Sequence, residues 1–217
     1  MSRAAFFDLD GTLLTVNSAA LWIRRERRLG RIRRRHALKA AGYFAAYKLG
    51  VLDIERAMDE AAASIAGEQE SALRAATRDW WHGEVVQHVS PGGIDVIARH
   101  RAAGDRLVLL TSSSPYASEC AVERFGLDGY LSTRFEVRDG RMTGRVERPI
   151  CYGAGKVTLA ERYAREHGIR LEESAFYTDS TTDVPMLERV GSPYAVHPDT
   201  RLRLTALRRG WPVLNWR

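Results

Sequence analysis

Phe6-Phe7-Asp8-Leu9-Asp10-Gly11-Thr12-Leu13-Leu14 packs an apolar run, two acids and a turn into nine residues. Ala4-Ala5-Phe6-Phe7 reads as a short buried strand that ends at Asp8. In extended backbone, residues i and i+2 point the same way, so Asp8 and Asp10 can face one spot beyond the strand end. Gly11 then turns the chain. In open α/β sheets the ligand crevice lies outside the carboxyl ends of the strands. Two neighbouring carboxylates repel, and one is pushed toward its protonated form unless a cation intervenes. That suits one acid as nucleophile and the other as proton donor. An acidic pair in a loop can equally be solvated or cap a helix, so this stretch alone leaves both readings open.

Outward from it the chain changes character twice. From Asn17 to Val89 the pattern is helical, with helices expected over Ser18 to Leu29, Ile32 to Leu49, Asp53 to Ile65 and Glu68 to Val85. After Pro91-Gly92-Gly93 helices alternate with strands at Arg106 to Thr111, Ser174 to Thr178, Pro193 to Val196 and Pro212 to Asn215. Tyr130 to Val137 and Met142 to Val146, around Asp139-Gly140, read as a strand pair joined by a tight turn. The expected fold class is α/β: a Rossmann-like, mainly parallel sheet with helices on both faces, plus an inserted all-helical cap domain. The core is expected over 1–15 and 90–217, the cap over 16–89.

Composition narrows the setting. With 217 residues, 45% of them hydrophobic, the chain can bury a sizeable core. From the start Met1-Ser2-Arg3 no secretory signal is expected, and no apolar run in the sequence nears the roughly 20 residues of a spanning helix. Cys120 and Cys151 suggest free thiols in a reducing compartment. The expected location is the cytoplasm, with contact to a membrane surface as the alternative. The formal charge of +6 fits an anionic partner, and its excess sits in the arginine-rich run between Arg24 and Arg35.

Three further strand ends carry chemistry. Thr111-Ser112-Ser113-Ser114-Pro115 precedes a helix, where hydroxyls and N–H groups make an anion site or merely a cap. Gly153-Ala154-Gly155-Lys156 offers a point charge to a phosphate oxygen. Thr178-Asp179-Ser180-Thr181-Thr182-Asp183 adds two acids fit for a hard cation such as Mg²⁺.

With these in order, the sequence resembles the haloacid dehalogenase-like superfamily of aspartyl-nucleophile phosphotransferases, and within it the phosphoserine-phosphatase-like branch. Asp8-Leu9-Asp10-Gly11-Thr12-Leu13 matches the first motif, Thr111 the second, Lys156 the third, and Asp179 with Asp183 the fourth. The resemblance implies Asp8 as nucleophile, Asp10 as general acid and then base, and Lys156 offsetting charge. It implies phosphate held by Thr111 and the Ser112 N–H, with Gly11 of the first motif as a further phosphate- or substrate-binding position. Mg²⁺ would be held by Asp8, Asp179 and the Asp10 carbonyl, with Asp183 on metal waters or orienting Lys156. Where phosphoserine enzymes carry a glutamate for the substrate ammonium, this chain has Asn17, which leaves phosphoserine in doubt and Asn17 with Ser18 as candidate leaving-group contacts.

The expected reaction is Mg²⁺-dependent hydrolysis of a small soluble phosphomonoester of amino-acid-pathway type, phosphoserine or histidinol phosphate. A lipid phosphate worked on at an anionic membrane surface through residues 24–47 is an alternative, since an apolar, aromatic stretch follows the arginines. A non-catalytic basic binding protein is the other. No specific nucleic-acid partner is expected, because no recognition motif accompanies the charge.

Overall fold

A computed structural model describes residues 2–31, 42 and 53–216. Six strands form one parallel sheet: β1 (Ala4–Phe7), β2 (Arg106–Thr111), β3 (Gly129–Ser132), β6 (Ala175–Thr178), β7 (Ser192–Val196) and β8 (Val213–Leu214). Their order is β3-β2-β1-β6-β7-β8. The chain runs outward from β1 to β2 and β3, then returns to the other side of β1 for β6. That reversal puts a crevice beside the carboxyl end of β1, where open α/β sheets bind ligands.

β1 is central, with Phe6 facing Val108 on one side and Phe176 on the other. Its residues are buried on both faces, which is why it reads as an unbroken apolar run. Ala5 and Phe7 pack with helices α4 (Pro91–Ala102) and α5 (Pro115–Phe125), as shown by Val96, Ile97, Ala117 and Ala121 in the same cluster. Ala4 and Phe6 face α6 (Ala154–His167), α7 (Val184–Arg189) and α8 (Thr200–Arg209), through Ala160, Met186 and Leu202. Burying one such phenylalanine is worth about 2–3 kcal/mol. The alternation that sorts these side chains also sends Asp8 to the α6 side.

The expected strand over Tyr130 to Val137 is two strands. Gly129–Ser132 closes the edge of the parallel sheet, while β4 (Phe135–Arg138) leaves it to pair antiparallel with β5 (Arg141–Val146). Thr133 and Arg134 make the break: Thr133 Oγ1 turns to accept the Cys151 N–H, so the chain exchanges one partner strand for another. The first helix after the all-helical stretch begins at Pro91 itself, within the Pro91-Gly92-Gly93 break, because proline's missing N–H costs nothing in a first turn.

Between β1 and α4 lie α1 (Ser18–Arg28), α2 (Ile54–Ser64) and α3 (Glu70–Trp80), which continues through a π turn at Trp81–Val85. The helix expected over Ile32 to Leu49 lies outside the described residues, apart from Gly42. The two chain crossings to this segment are tied side by side: Thr15 N–H donates to His88 O and Ser90 N–H to Leu13 O. The segment also pairs with the hairpin, since Met142 N–H donates to Glu68 O and Gly67 N–H to Met142 O. Helix pairing is therefore supplemented by one short backbone ladder. Arg25, Arg28 and Arg31 of the arginine run pair with Glu26 and Glu84, and Arg25 lies over the Trp22 ring. Arg25 is thus packed against the helix, while Arg28 and Arg31 make their ion pairs at the surface. No helix among the described residues is long and apolar enough to cross a membrane.

Candidate active site

β1, β2 and β6 deliver their last residues to one end of the sheet. Asp8 follows β1, Thr111 ends β2 and Asp179 follows β6, while Lys156 comes from the first turn of α6. Lys156 Nζ donates to Asp8 Oδ1 at 2.8 Å and to Asp183 Oδ2 at 2.7 Å. Thr178 Oγ1 donates to the same Asp183 oxygen at 2.7 Å. All three charged groups are withdrawn from water, with Lys156 3% and Asp183 1% exposed. Asp183 therefore fits the holding of Lys156, one of the two roles expected of it, and its Oδ2 is not spare for a metal.

Gly11 adopts φ +76°, and a Cβ there would collide with the Asp179 carboxylate. Glycine is required on both counts: the left-handed turn and the approach of Asp179 to the loop. Asp10 lies on this loop with its carboxylate turned toward the start of α1. Its Oδ1 accepts the Ser18 N–H at 2.9 Å, and its Oδ2 accepts the Ser18 hydroxyl at 3.0 Å.

The charges do not balance. Four carboxylates, Asp8 and Asp183 buried and Asp10 and Asp179 half-buried, gather around one lysine. Burial pushes the Asp8 carboxyl up to about 7, with Lys156 acting against the rise and Asp183 and Asp10 adding to it. Asp179 stands well above the usual carboxylate range, from burial first and then from Asp8, Asp183 and Asp10. Burial raises Asp10 too, against its bonds from Ser18 and Ser113. Burial alone would depress the Lys156 ammonium, but Asp183 and Asp8 outweigh it and hold the lysine charged. Such a cluster calls for a further cation.

The donors fit Mg²⁺. That ion takes one or two carboxylates and completes its shell with water and substrate phosphate, and here Asp8, Asp179 and the Asp10 main-chain carbonyl are available. Among the described residues no group of three or more His, Cys, Asp or Glu side chains is placed to hold a metal ion, so an ion here would take the rest of its shell from the main-chain carbonyl, water and substrate.

The remaining expected residues divide. Thr111 is buried and its Oγ1 accepts the Ser113 N–H at 3.2 Å, shaping the turn that also carries Ser112. Ser114 caps α5, accepting the Ala117 N–H. Asn17 is the cap of α1: its Oδ1 accepts the Ala20 N–H at 3.0 Å and so is already committed to the helix. Ser18 and Ser113 were not expected to hold Asp10; the signal for Ser18 is a hydroxyl one residue beyond a helix cap. Thr178, which holds Asp183, also carried no signal beyond its place before Asp179. Cys151 is buried nearby with its thiol pushed up to about 12, and so is inert.

A family model described as haloacid dehalogenase-like hydrolase matches residues 5–188. A histidinol-phosphatase of Neisseria meningitidis serogroup C is 29% identical over 222 residues, covering all of both chains. A phosphoserine phosphatase of Mycobacterium tuberculosis is 32% identical over 233 residues, covering all of this chain and 72% of that protein. Among solved structures, a protein of unknown function from Bordetella pertussis Tohama I superposes with TM-score 0.90 at 32% identity, each chain covered in full.

Proposed function

The chain belongs to the haloacid dehalogenase-like hydrolase family, and from that footing we propose that it is a Mg²⁺-dependent phosphatase acting through an aspartyl-phosphate on a small phosphorylated amino alcohol. The observation that carries this reading is the buried junction of Asp8, Lys156 and Asp183 at the carboxyl end of β1.

Asp8 attacks phosphorus, a carboxylate–phosphorus bond forms, and the bond to the ester oxygen breaks. Asp10 gives its proton to that oxygen, and the alcohol leaves. In the second half Asp10 takes a proton from water, which attacks the same phosphorus and frees Asp8 with inorganic phosphate. Lys156 keeps Asp8 aimed and offsets the charge it shares with the phosphoryl group. Thr111 and the Ser112 N–H hold the phosphoryl oxygens. Mg²⁺, held by Asp8, Asp179 and the Asp10 carbonyl, supplies charge neutralisation on those oxygens when bound. This division suits phosphoryl transfer, in which positioning and electrostatics dominate.

Histidinol phosphate is placed ahead of phosphoserine. The similarity to a protein named histidinol-phosphatase runs end to end; the absence of negative charge at Asn17, which caps a helix, bears equally on both esters, since each carries an ammonium. The test is phosphate release from p-nitrophenyl phosphate with and without Mg²⁺, then from a panel including both amino-alcohol phosphates. Turnover that survives chelation of divalent metal would overturn the Mg²⁺ reading, and phosphoserine as the preferred ester would overturn the ranking.

A further inference from the structure

Asp10 is gripped by one residue through two donors. Ser18 offers its N–H to Oδ1 at 2.9 Å and its hydroxyl to Oδ2 at 3.0 Å, so the carboxylate plane is fixed at both oxygens. Ser113, in the turn after β2, adds a longer contact to Oδ2 at 3.4 Å and lies 3.3 Å from the Ser18 hydroxyl. Helix α1 does not need this arrangement for its own capping, because Asn17 already supplies the side-chain cap. Ser18 is 3% exposed, so its hydroxyl is not there for solvent. Each carboxylate oxygen has two acceptor sites, which leaves a position for the proton that Asp10 must hold and release.

We propose that Ser18 is a positioning residue for proton transfer: it aims Asp10 at the leaving oxygen, with Ser113 as a weaker second support. The inference rests on the reading of Asp10 as general acid. As the Asp8–phosphorus bond forms and the ester bond breaks, the Asp10 proton passes to the departing oxygen. The Ser18 N–H and hydroxyl then bear on the carboxylate left behind, where hydrogen bonds to a charged acceptor are strongest. Because Ser18 opens the first helix of the inserted segment, the position of that helix and the aim of the acid are set by the same contact.

The competing account is that Asp10 only satisfies free N–H groups at a helix start. The two accounts differ in leaving-group dependence. A misaimed acid harms an ester whose alcohol departs poorly far more than one whose alcohol departs well. With purified enzyme and Mg²⁺, kcat is measured for p-nitrophenyl phosphate and phenyl phosphate on wild type, Ser18→Ala, Ser18→Thr, Ser113→Ala and Asp10→Asn. Ser18→Ala is expected to lose about 10-fold on phenyl phosphate and less than about 3-fold on p-nitrophenyl phosphate, a share of the 10²–10⁴-fold that general acids contribute. KM should hardly move, Ser18→Thr should restore the ratio, and Ser113→Ala should show the same bias more weakly.

Equal losses on both esters for Ser18→Ala, beside a biased loss for Asp10→Asn, would overturn the proposal and leave the acid assignment standing. An unbiased Asp10→Asn would instead remove the acid assignment beneath it. If thermal melting shows Ser18→Ala unfolded, Ser18→Cys, similar in shape but a weak donor, is read by the same criterion.

Discussion

The two ends of the central strands each carry a polar cluster, and the clusters are built on opposite principles. At the amino end, Asp105 accepts from Arg3 and faces His100 Nδ1 at 2.7 Å, while His100 Nε2 meets the Tyr177 hydroxyl at 2.8 Å. There one carboxylate has a full arginine charge beside it, and Tyr177 stacks between Phe7 and Tyr194. At the carboxyl end, four carboxylates share Lys156. The first cluster is satisfied by the protein itself. The second leaves an excess of acid, which on the proposed reading a cation and an anionic substrate would complete. Unbalanced buried charge, rather than polarity as such, marks the working end.

Variants at the two ends should therefore behave differently. Asp8→Asn removes the proposed nucleophile with little change of shape, and kcat is expected to fall about 10⁴-fold or more with an unchanged circular dichroism spectrum. A metal-dependent variant with near wild-type turnover would break the assignment. Lys156→Met leaves Asp8 and Asp183 facing each other without a cation, and such a loss typically costs about 3–5 kcal/mol. Urea denaturation at neutral pH should read this, less so at pH 5, where the carboxylates can take up protons.

The excess of acid also predicts how the metal-free protein responds to pH. The Asp8 carboxyl rises from 3.8 to about 7 on folding, and Asp179 rises as well. Between those values the native state holds more protons than the unfolded chain, so stability falls as pH rises through that window. Melting without metal should come at lower temperature near pH 7.5 than near pH 5. Added Mg²⁺ should narrow the gap by binding the charged cluster. Asp179→Asn should raise metal-free stability at pH 7.5 and abolish the Mg²⁺ increment; a destabilised variant would contradict the charge imbalance. The smallest effect is expected at the amino end, where Tyr177→Phe forfeits one hydrogen bond, worth about 1 kcal/mol. Its kcat should match wild type, and a large loss there would erase the distinction between the ends.

Much of this was legible in the chain because the informative residues sit at strand ends. Ala4 to Phe7 is apolar throughout because both faces are covered, and the acids follow at once because the strand stops there. Gly11 was readable as a turn, but not as the space that Asp179 occupies, since that approach joins residues far apart in sequence. Tyr130 to Val137 looked continuous because local pattern does not record a change of partner strand at Thr133. The pairing of Arg25 and Arg28 with Glu84 was not legible, because nothing local reveals that a glutamate dozens of residues on returns to them.

The sequence by itself determined the α/β alternation, the family likeness and the identity of the acids and the lysine, because each is written in a contiguous motif whose backbone geometry is local. Only the tertiary structure decided that Asp183 holds Lys156, that Asn17 is spent on a helix end, and that Ser18 grips Asp10. Those are long-range or competing hydrogen bonds, and which partner a polar group takes depends on what the folded chain brings within 3 Å of it.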